Sequence, residues 1–204
     1  MIHSARLKFD IRTYWHAGTG RGRGGTVDAV TYKDADGLPR LPGRTVKGLV
    51  RDAVAQAEEL NWFAEDGELK DLSPGITDRL FGKASEEQGK SEPGCLRFSD
   101  AVLPEDVRRW FRGNPKERGL ISGLYRTHFA TAVNDKGSAV DQTLRGIEVT
   151  VPVTLYATVS LVPDAGDLGP WTKVLERALP LIHAVGAHRT RGFGRVCVSL
   201  ELDP

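Results

Sequence analysis

The chain has 204 residues, 40% apolar and 27% charged, with a formal net charge of +1, a composition that fits one folded domain with a well-buried core and argues against intrinsic disorder. So small a net charge excludes a protein that coats nucleic acid by bulk electrostatics. No apolar stretch approaches the ~20 residues that cross a bilayer, no signal-sequence pattern opens the chain, and Cys95 and Cys197 stand alone, so the expectation is a cytoplasmic protein without membrane span, disulfide framework or structural zinc.

Ala5, Leu7, Phe9, Ile11 and Thr13 alternate with Arg6, Lys8, Asp10 and Arg12, the period of a half-buried strand. A long loop rich in Gly and Arg runs on to about Gly43. Val46, Leu49, Val50, Ala53, Val54, Ala57 and Leu60 then recur at helical spacing, with Pro42 and Gly43 marking the start. After a polar surface loop through Ser85 to Pro93, Leu96, Phe98 and Ala101 to Leu103 read as a second strand, and Pro104 to Arg112 as a short helix. Leu124 to Glu148 is left over as an insertion, with Asn134-Asp135-Lys136-Gly137 as a hairpin tip.

The third strand follows, because Val151, Val153, Leu155, Ala157, Val159 and Leu161 share one face. Pro152 cannot donate to a ladder, so a bulge or a change of strand is expected there. Trp171, Val174, Leu175, Ala178, Ile182 and Val185 mark a second helix kinked at Pro180, and Val196, Val198, Leu200 and Leu202 a last strand. Strand, helix, strand, strand, helix, strand is the order of the split βαβ unit, an α+β, ferredoxin-like (RRM-like) arrangement.

The near-zero net charge conceals segregation. Tyr14 to Val27 holds His16, Arg21 and Arg23 and no acid; Leu38 to Arg51 holds Arg40, Arg44, Lys47 and Arg51 unopposed; Ala178 to Leu200 holds His183, His188, Arg189, Arg191 and Arg195. Each tract overlaps glycines, which let backbone N–H groups approach an anion. The helix that begins near Gly43 presents Arg44 and Lys47 in its first turn, where free N–H groups form an anion site, and Lys47 and Arg51 share one face. Gly192-Phe193-Gly194, ringed by Arg189, Arg191 and Arg195, suits a loop that passes under a phosphate backbone, although it lacks the GK[ST] ending of a P-loop. A solvated helix face and a plain helix-to-strand turn are the bland alternatives for these two features.

Four segments in order carry a resemblance: GTGRGRGGTVDAVTYKDADGLPRLPG after the first strand, the RTVKGLVRDA helix, LFG…GCLRFSDAVL, and TRGFGRV near the end. Together they resemble the RAMP superfamily of CRISPR-associated proteins, in particular the repeated backbone subunit of type III (Csm/Cmr-like) effector complexes. The resemblance implies a single domain over 1–204, with a ferredoxin-like palm (about 1–123 and 149–204) and a thumb-like β-hairpin (about 124–148). It implies copies of the chain stacked with other RAMP subunits along a guide (CRISPR) RNA, the thumb interrupting the duplex with target RNA, and no membrane.

Residues matched to RNA binding are His16, Arg21, Arg23, Arg44, Lys47, Arg51, Arg126, His128, Arg189, Arg191, Gly192, Phe193, Gly194 and Arg195. The resemblance also implies a loop aspartate that cuts target RNA with Mg2+ or Mn2+. Asp28 is the match, as catalytic residue and metal ligand, with Asp34 and Asp36 as alternatives. The chemistry suits a carboxylate, because attack by the RNA 2′-hydroxyl needs that group deprotonated and in line, and a carboxylate acts as base or binds a divalent ion. A backbone or capping subunit that binds RNA without cutting it is the alternative function. A generic RRM-type binder is disfavoured, because the last strand presents Cys197, Ser199 and Glu201 in place of stacking aromatics.

Overall fold

A computed structural model of the chain describes residues 2–22, 27–64, 67–70, 74–83, 91–163, 166 and 168–202. In chain order its elements are β1 (Ser4–Ile11), β2 (Arg40–Leu41), α1 (Gly43–Glu59), α2 (Ile76–Phe81), β3 (Gly82–Lys83), β4 (Glu92–Pro93), β5 (Leu96–Phe98), β6 (Ala101–Val102), α3 (Glu105–Gly113), β7 (Tyr125–Ala130), β8 (Arg145–Thr150), β9 (Thr154–Leu161), α4 (Trp171–Ala178) and β10 (Val196–Glu201). The fold is α+β with antiparallel sheets. The main sheet runs β10-β1-β9-β6-β2, with β5 also paired to β9.

Period-two patterning decides which face of this sheet is covered. Ala5, Leu7, Phe9 and Ile11 of β1 and Leu155, Ala157 and Val159 of β9 are buried, in the register Leu7 to Ala157 and Phe9 to Leu155. Val46, Val50, Ala53, Val54 and Ala57 of α1 and Trp171, Val174, Leu175 and Ala178 of α4 join them in one continuous core. The intervening β1 residues stay polar, and Arg6 reaches Glu201 of β10 at 2.6 Å.

The expected elements appear with local changes, each with a physical cause. The first strand stops at Ile11, and Thr13 instead donates its hydroxyl to the Gly192 carbonyl at 3.0 Å while accepting from the Arg195 N–H at 2.9 Å. The strand expected over residues 96–103 breaks at Ser99-Asp100. There the Asp100 carboxylate turns toward α1, accepting from the Gly43 N–H at 2.7 Å and from Arg40 at 2.6 Å. Around Pro152 the chain changes strand, since β8 ends at Thr150 and β9 starts at Thr154. Pro180 ends α4 rather than kinking it, because the ring removes a donor and the chain tightens into a 3-10 turn at Leu179–Leu181. The pair β3 and β4 and the helix α2 lay outside the predicted elements. α2 is too short to form alone and is capped by the Glu58 carboxylate, which accepts from the N–H groups of Ile76 at 3.1 Å and Thr77 at 3.2 Å.

Between α3 and β9, β7 and β8 form a two-stranded sheet of their own, in register from Tyr125 opposite Thr150 to Ala130 opposite Arg145. Asn134 closes the tip, its side-chain oxygen accepting from the N–H groups of Lys136 and Ser138 at 3.0 Å while Gly137 takes a φ of +78°. No helix among the described residues is long and apolar enough to cross a membrane. Asp100→Ala removes the side-chain cap of α1 and is expected to cost about 1 kcal/mol. Urea unfolding should show a lower midpoint with an unchanged slope.

Candidate nucleic-acid interface

Two glycine-bearing stretches from opposite ends of the chain are pressed backbone to backbone. The Gly194 N–H donates to the Tyr14 carbonyl at 2.8 Å, the Ala187 N–H to the His16 carbonyl at 2.8 Å, and the Val185 N–H to the Gly194 carbonyl at 2.9 Å. Side chains would not fit. A Cβ on Gly194 would sit 1.9 Å from the Val185 carbonyl oxygen, and one on Gly186 2.4 Å from that of His16, and both glycines have positive φ. On its other side the Tyr14–Gly18 segment is held by β8, through the Trp15 N–H to the Thr150 carbonyl at 3.1 Å and the reverse bond at 2.8 Å. The fully buried Trp15 ring donates to the Val151 carbonyl at 3.1 Å.

Against this junction α1 leaves a cleft of about 450 Å³, lined by His16, Gly18, Tyr32, Thr45, Gly48 and Arg189. A second recess of about 500 Å³ shares Leu49, Asp52 and Arg189 with it and runs on toward Leu181 and Thr190. The two form one groove along the outer side of α1. Gly48 widens it, because nothing lies within 4 Å of where its Cβ would be.

Around this groove the expected binding residues fall into distinct situations. His16 is buried on the floor, with Nδ1 2.6 Å from the Glu148 carbonyl. Arg44 is exposed and engages Tyr32, by a hydrogen bond to the hydroxyl and with its guanidinium 5.6 Å from the ring centre. Lys47 is half-buried and Arg51 exposed, one turn apart on α1. Arg189 lines the groove; Arg21 is exposed and is not among the lining residues, and Arg23 lies outside the described residues. The first N–H of α1 is not free for an anion, because Asp100 already accepts from Gly43.

The other expected residues gather where the glycine loop meets the β7–β8 hairpin. Phe193 packs edge-on against His128, with ring centres 5.1 Å apart, and lies 6.1 Å from His188. Arg191 lines the same spot, while Gly192, with φ +84°, closes the turn. Arg126 folds back to donate to the Gly123 carbonyl at 3.0 Å and the Tyr125 carbonyl at 2.7 Å. Arg195 is exposed, its backbone tied to Thr13 and Arg12.

The three candidate aspartates differ in what they hold. Asp34 Oδ1 accepts from the N–H groups of Asp36 and Leu38, both at 2.9 Å, and Oδ2 lies 3.6 Å from Arg108. Asp36 pairs with Arg112 at 3.1 Å. Both carboxylates thereby fasten the 34–38 turn to α3. Asp28 sits against the tip-side end of the β7–β8 ladder, its N–H donating to the Gly146 carbonyl at 2.7 Å and its Oδ2 accepting from the Gly146 N–H at 2.8 Å. Its Oδ1 has no hydrogen-bond partner among the described residues.

Two features here escaped the sequence reading. Glu148, 7% exposed, accepts from Lys33 at 2.8 Å and from the Thr31 N–H at 3.2 Å, while Lys33 also lies over the Tyr125 ring at 3.9 Å. This part-buried pair binds the segment carrying Asp28 to the hairpin. Burial first, then the nearby carboxylates of Glu148 and Asp34, keep the Tyr125 hydroxyl protonated far above its ordinary range, and it donates to the Gly37 carbonyl at 2.7 Å. His188, named in the sequence only as a member of its basic tract, is the second. Burial and then the positive charges of Arg191, His16 and His128 hold its imidazole below the usual histidine range.

Glu148→Ala strands the Lys33 ammonium and a backbone N–H in a largely dry site, with an expected loss of about 2 kcal/mol. Glu148→Gln keeps the neutral hydrogen bonds and should lose less. Paired thermal and urea unfolding of the two variants measures the difference.

The family model of the RAMP superfamily matches residues 8–197. Among solved structures the chain is similar to one in the cryo-EM structure of type III-B Cmr-beta in the apo state, with a TM-score of 0.61 and 10% identity over 97% of both chains. It is also similar to one in Cmr-beta bound to cognate target RNA, with a TM-score of 0.66 and 10% identity over 98% of both. No curated protein matches it. A family match across nearly the whole length, together with this likeness of fold, establishes that the chain belongs to the RAMP superfamily.

Proposed function

We propose that the chain is a backbone subunit of a type III CRISPR ribonucleoprotein, binding guide RNA along the α1 groove and cutting paired target RNA with Asp28. The observation that carries the reading is a groove beside α1 that brings His16 and Gly18 of one chain end against Arg189 of the other, with Asp52 also in its lining, while Arg44, Lys47 and Arg51 stand on a neighbouring strip of the same helix. In this reading the main sheet and its two helices are a ferredoxin-like palm. The 4-1-3-2 order of its principal strands, β10, β1, β9 and β5/β6, supports that description. The β7–β8 hairpin is the thumb, and other RAMP subunits and further copies of the chain continue the path of the guide.

The groove suits a single strand that is read through its backbone. Phosphates meet Lys47, Arg51 and Arg189 as point charges and forks, while Gly48 and Gly18 allow close approach. Binding of this kind releases counterions, so each neutralised phosphate adds about −0.7 to the slope of log affinity against log salt. Lys47→Ala and Arg191→Ala are each expected to weaken retention of the guide and to lower that slope by roughly one contact. Filter binding of the reconstituted complex across a salt series measures both; unchanged retention in Lys47→Ala overturns the assignment to α1, and unchanged retention in Arg191→Ala overturns that to the glycine loop.

Asp28 combines a fixed orientation with one oxygen that has no hydrogen-bond partner among the described residues. Gly146 holds Oδ2, which leaves Oδ1 to accept a proton from an RNA 2′-hydroxyl or to bind a cation. No three His, Cys, Asp or Glu side chains converge as a metal site among the described residues. A Mg2+ or Mn2+ ion would therefore be held jointly by Asp28, water and RNA phosphate oxygens, the mode typical of Mg2+, and would supply charge neutralisation at the phosphate. Asp28→Ala should reduce cleavage of complementary RNA by the assembled complex at least about a hundredfold with target binding retained.

A non-catalytic backbone or capping subunit is the second reading, favoured by one observation. The hydrogen bond of Asp28 to Gly146 is also what a purely structural turn would make. Cleavage that persists in Asp28→Ala, or is absent from the wild-type complex, decides for it.

A further inference from the structure

Glu148 keeps a carboxylate in the interior, with the residue 7% exposed. Its cross-strand neighbour in the hairpin is Thr127, which offers it no charge. Its two oxygens are divided instead over the segment that carries Asp28: Oε1 accepts from Lys33 Nζ at 2.8 Å and Oε2 from the Thr31 N–H at 3.2 Å. Burying such a pair costs solvation that two packed apolar side chains would not forfeit. Its presence calls for a role that apolar contact, which has no direction, cannot fill.

Register is that role. Among the described residues the segment meets β8 through one parallel bridge, Ala29 beside Ile147, with a hydroxyl contact of Thr31 to Thr150 at 3.4 Å. Its other edge lies against a loop, where the Val30 N–H donates to the Arg21 carbonyl at 2.9 Å and the Tyr32 N–H to that of Ala17 at 2.8 Å. So short a ladder holds register weakly, and in extended chain a slip of one residue turns every side chain to the opposite face. For Asp28 a slip would take Oδ2 off the Gly146 N–H, which it holds at 2.8 Å. Glu148 opposes a slip in both directions. A shift by one residue brings to the place of Lys33 either Tyr32, which carries no cation, or Asp34, a second carboxylate.

We propose that Glu148 is a positioning residue that sets the register of residues 28–33 on β8 and thereby the aim of the Asp28 carboxylate. The role rests on the reading of Asp28 as the cleaving group, but the register itself is measurable without cleavage.

The test replaces the pair together. Lys33→Met with Glu148→Leu fills the site with apolar side chains of similar volume, an exchange that is commonly neutral or stabilising, and erases the preference for one register. In the isolated full chain, nitrogen-labelled at glycine, hydrogen exchange of the Gly146 amide reads its contact with Asp28 directly. Exchange should be at least about tenfold faster than in wild type, at a thermal midpoint no lower. In the assembled complex, single-turnover cleavage at saturating target should fall at least about tenfold with the dissociation constant for target unchanged. Lys33→Gln, which still donates to Glu148, should keep the wild-type value of both readings. Lys33→Met alone should move both in the direction of the double variant and replaces it if that chain does not fold. A Gly146 amide that stays protected in the folded variant overturns the proposal whatever happens to cleavage. If the amide is freed and cleavage persists, Asp28→Ala separates the two ideas. Cleavage lost in Asp28→Ala but kept in the double variant overturns the positioning role; cleavage kept in both leaves the register standing and removes the catalytic reading of Asp28.

Discussion

Much of this molecule depends on one close approach, the contact of the Val185–Gly194 loop with the Tyr14–Gly18 segment. Both stretches are irregular, so their backbone groups need partners from outside any ladder, and they find them in each other through Gly194 to Tyr14 and Ala187 to His16. The contact is possible because Gly186 has no Cβ to meet the His16 backbone, and Gly194 lets the loop close on its own Val185. Its consequence is spatial. Basic residues from the two ends of the chain meet on one side of α1, and the same loop swings Phe193 onto the hairpin.

The charge distribution follows from how the acids are used. Asp100 caps α1, Glu58 caps α2, Asp34 folds a turn, and Glu148 neutralises Lys33 in the interior. These carboxylates are consumed inside the fold. These four carboxylates therefore add no free negative charge beside the basic tracts, although Asp52 lines the groove itself.

What was legible in the sequence was whatever a short-range period encodes. The alternation of β1 and β9, the stripe of α1 and the proline break at 152 all express the geometry of one element at a time. The hairpin tip was legible for the same reason, since Asn134 and Gly137 satisfy a local turn. The missed features are non-local. α2 exists because Glu58 caps it from another helix, and Glu148 reads as an ordinary strand acid until the fold brings Lys33, Thr31 and His16 around it. The site was readable as three basic tracts. Their division into a groove beside α1 and a cluster at the hairpin was not, because no spacing rule relates His128 to Phe193.

The placement of Asp28 joins these two regions. Its segment is fastened to β8 by Ala29 accepting from the Glu148 N–H at 2.9 Å and by the Glu148 carboxylate, and its own carboxylate is oriented by Gly146. Gly146 lies next to Arg145, which lines the spot shared by His128 and Phe193, and Glu148 holds His16 on the groove floor. A ligand that shifts β8 therefore acts on Asp28 through two hydrogen bonds rather than through a flexible loop. A carboxylate anchored to the hairpin is sensitive to where that hairpin sits, and this sensitivity follows from hydrogen bonding in the fold.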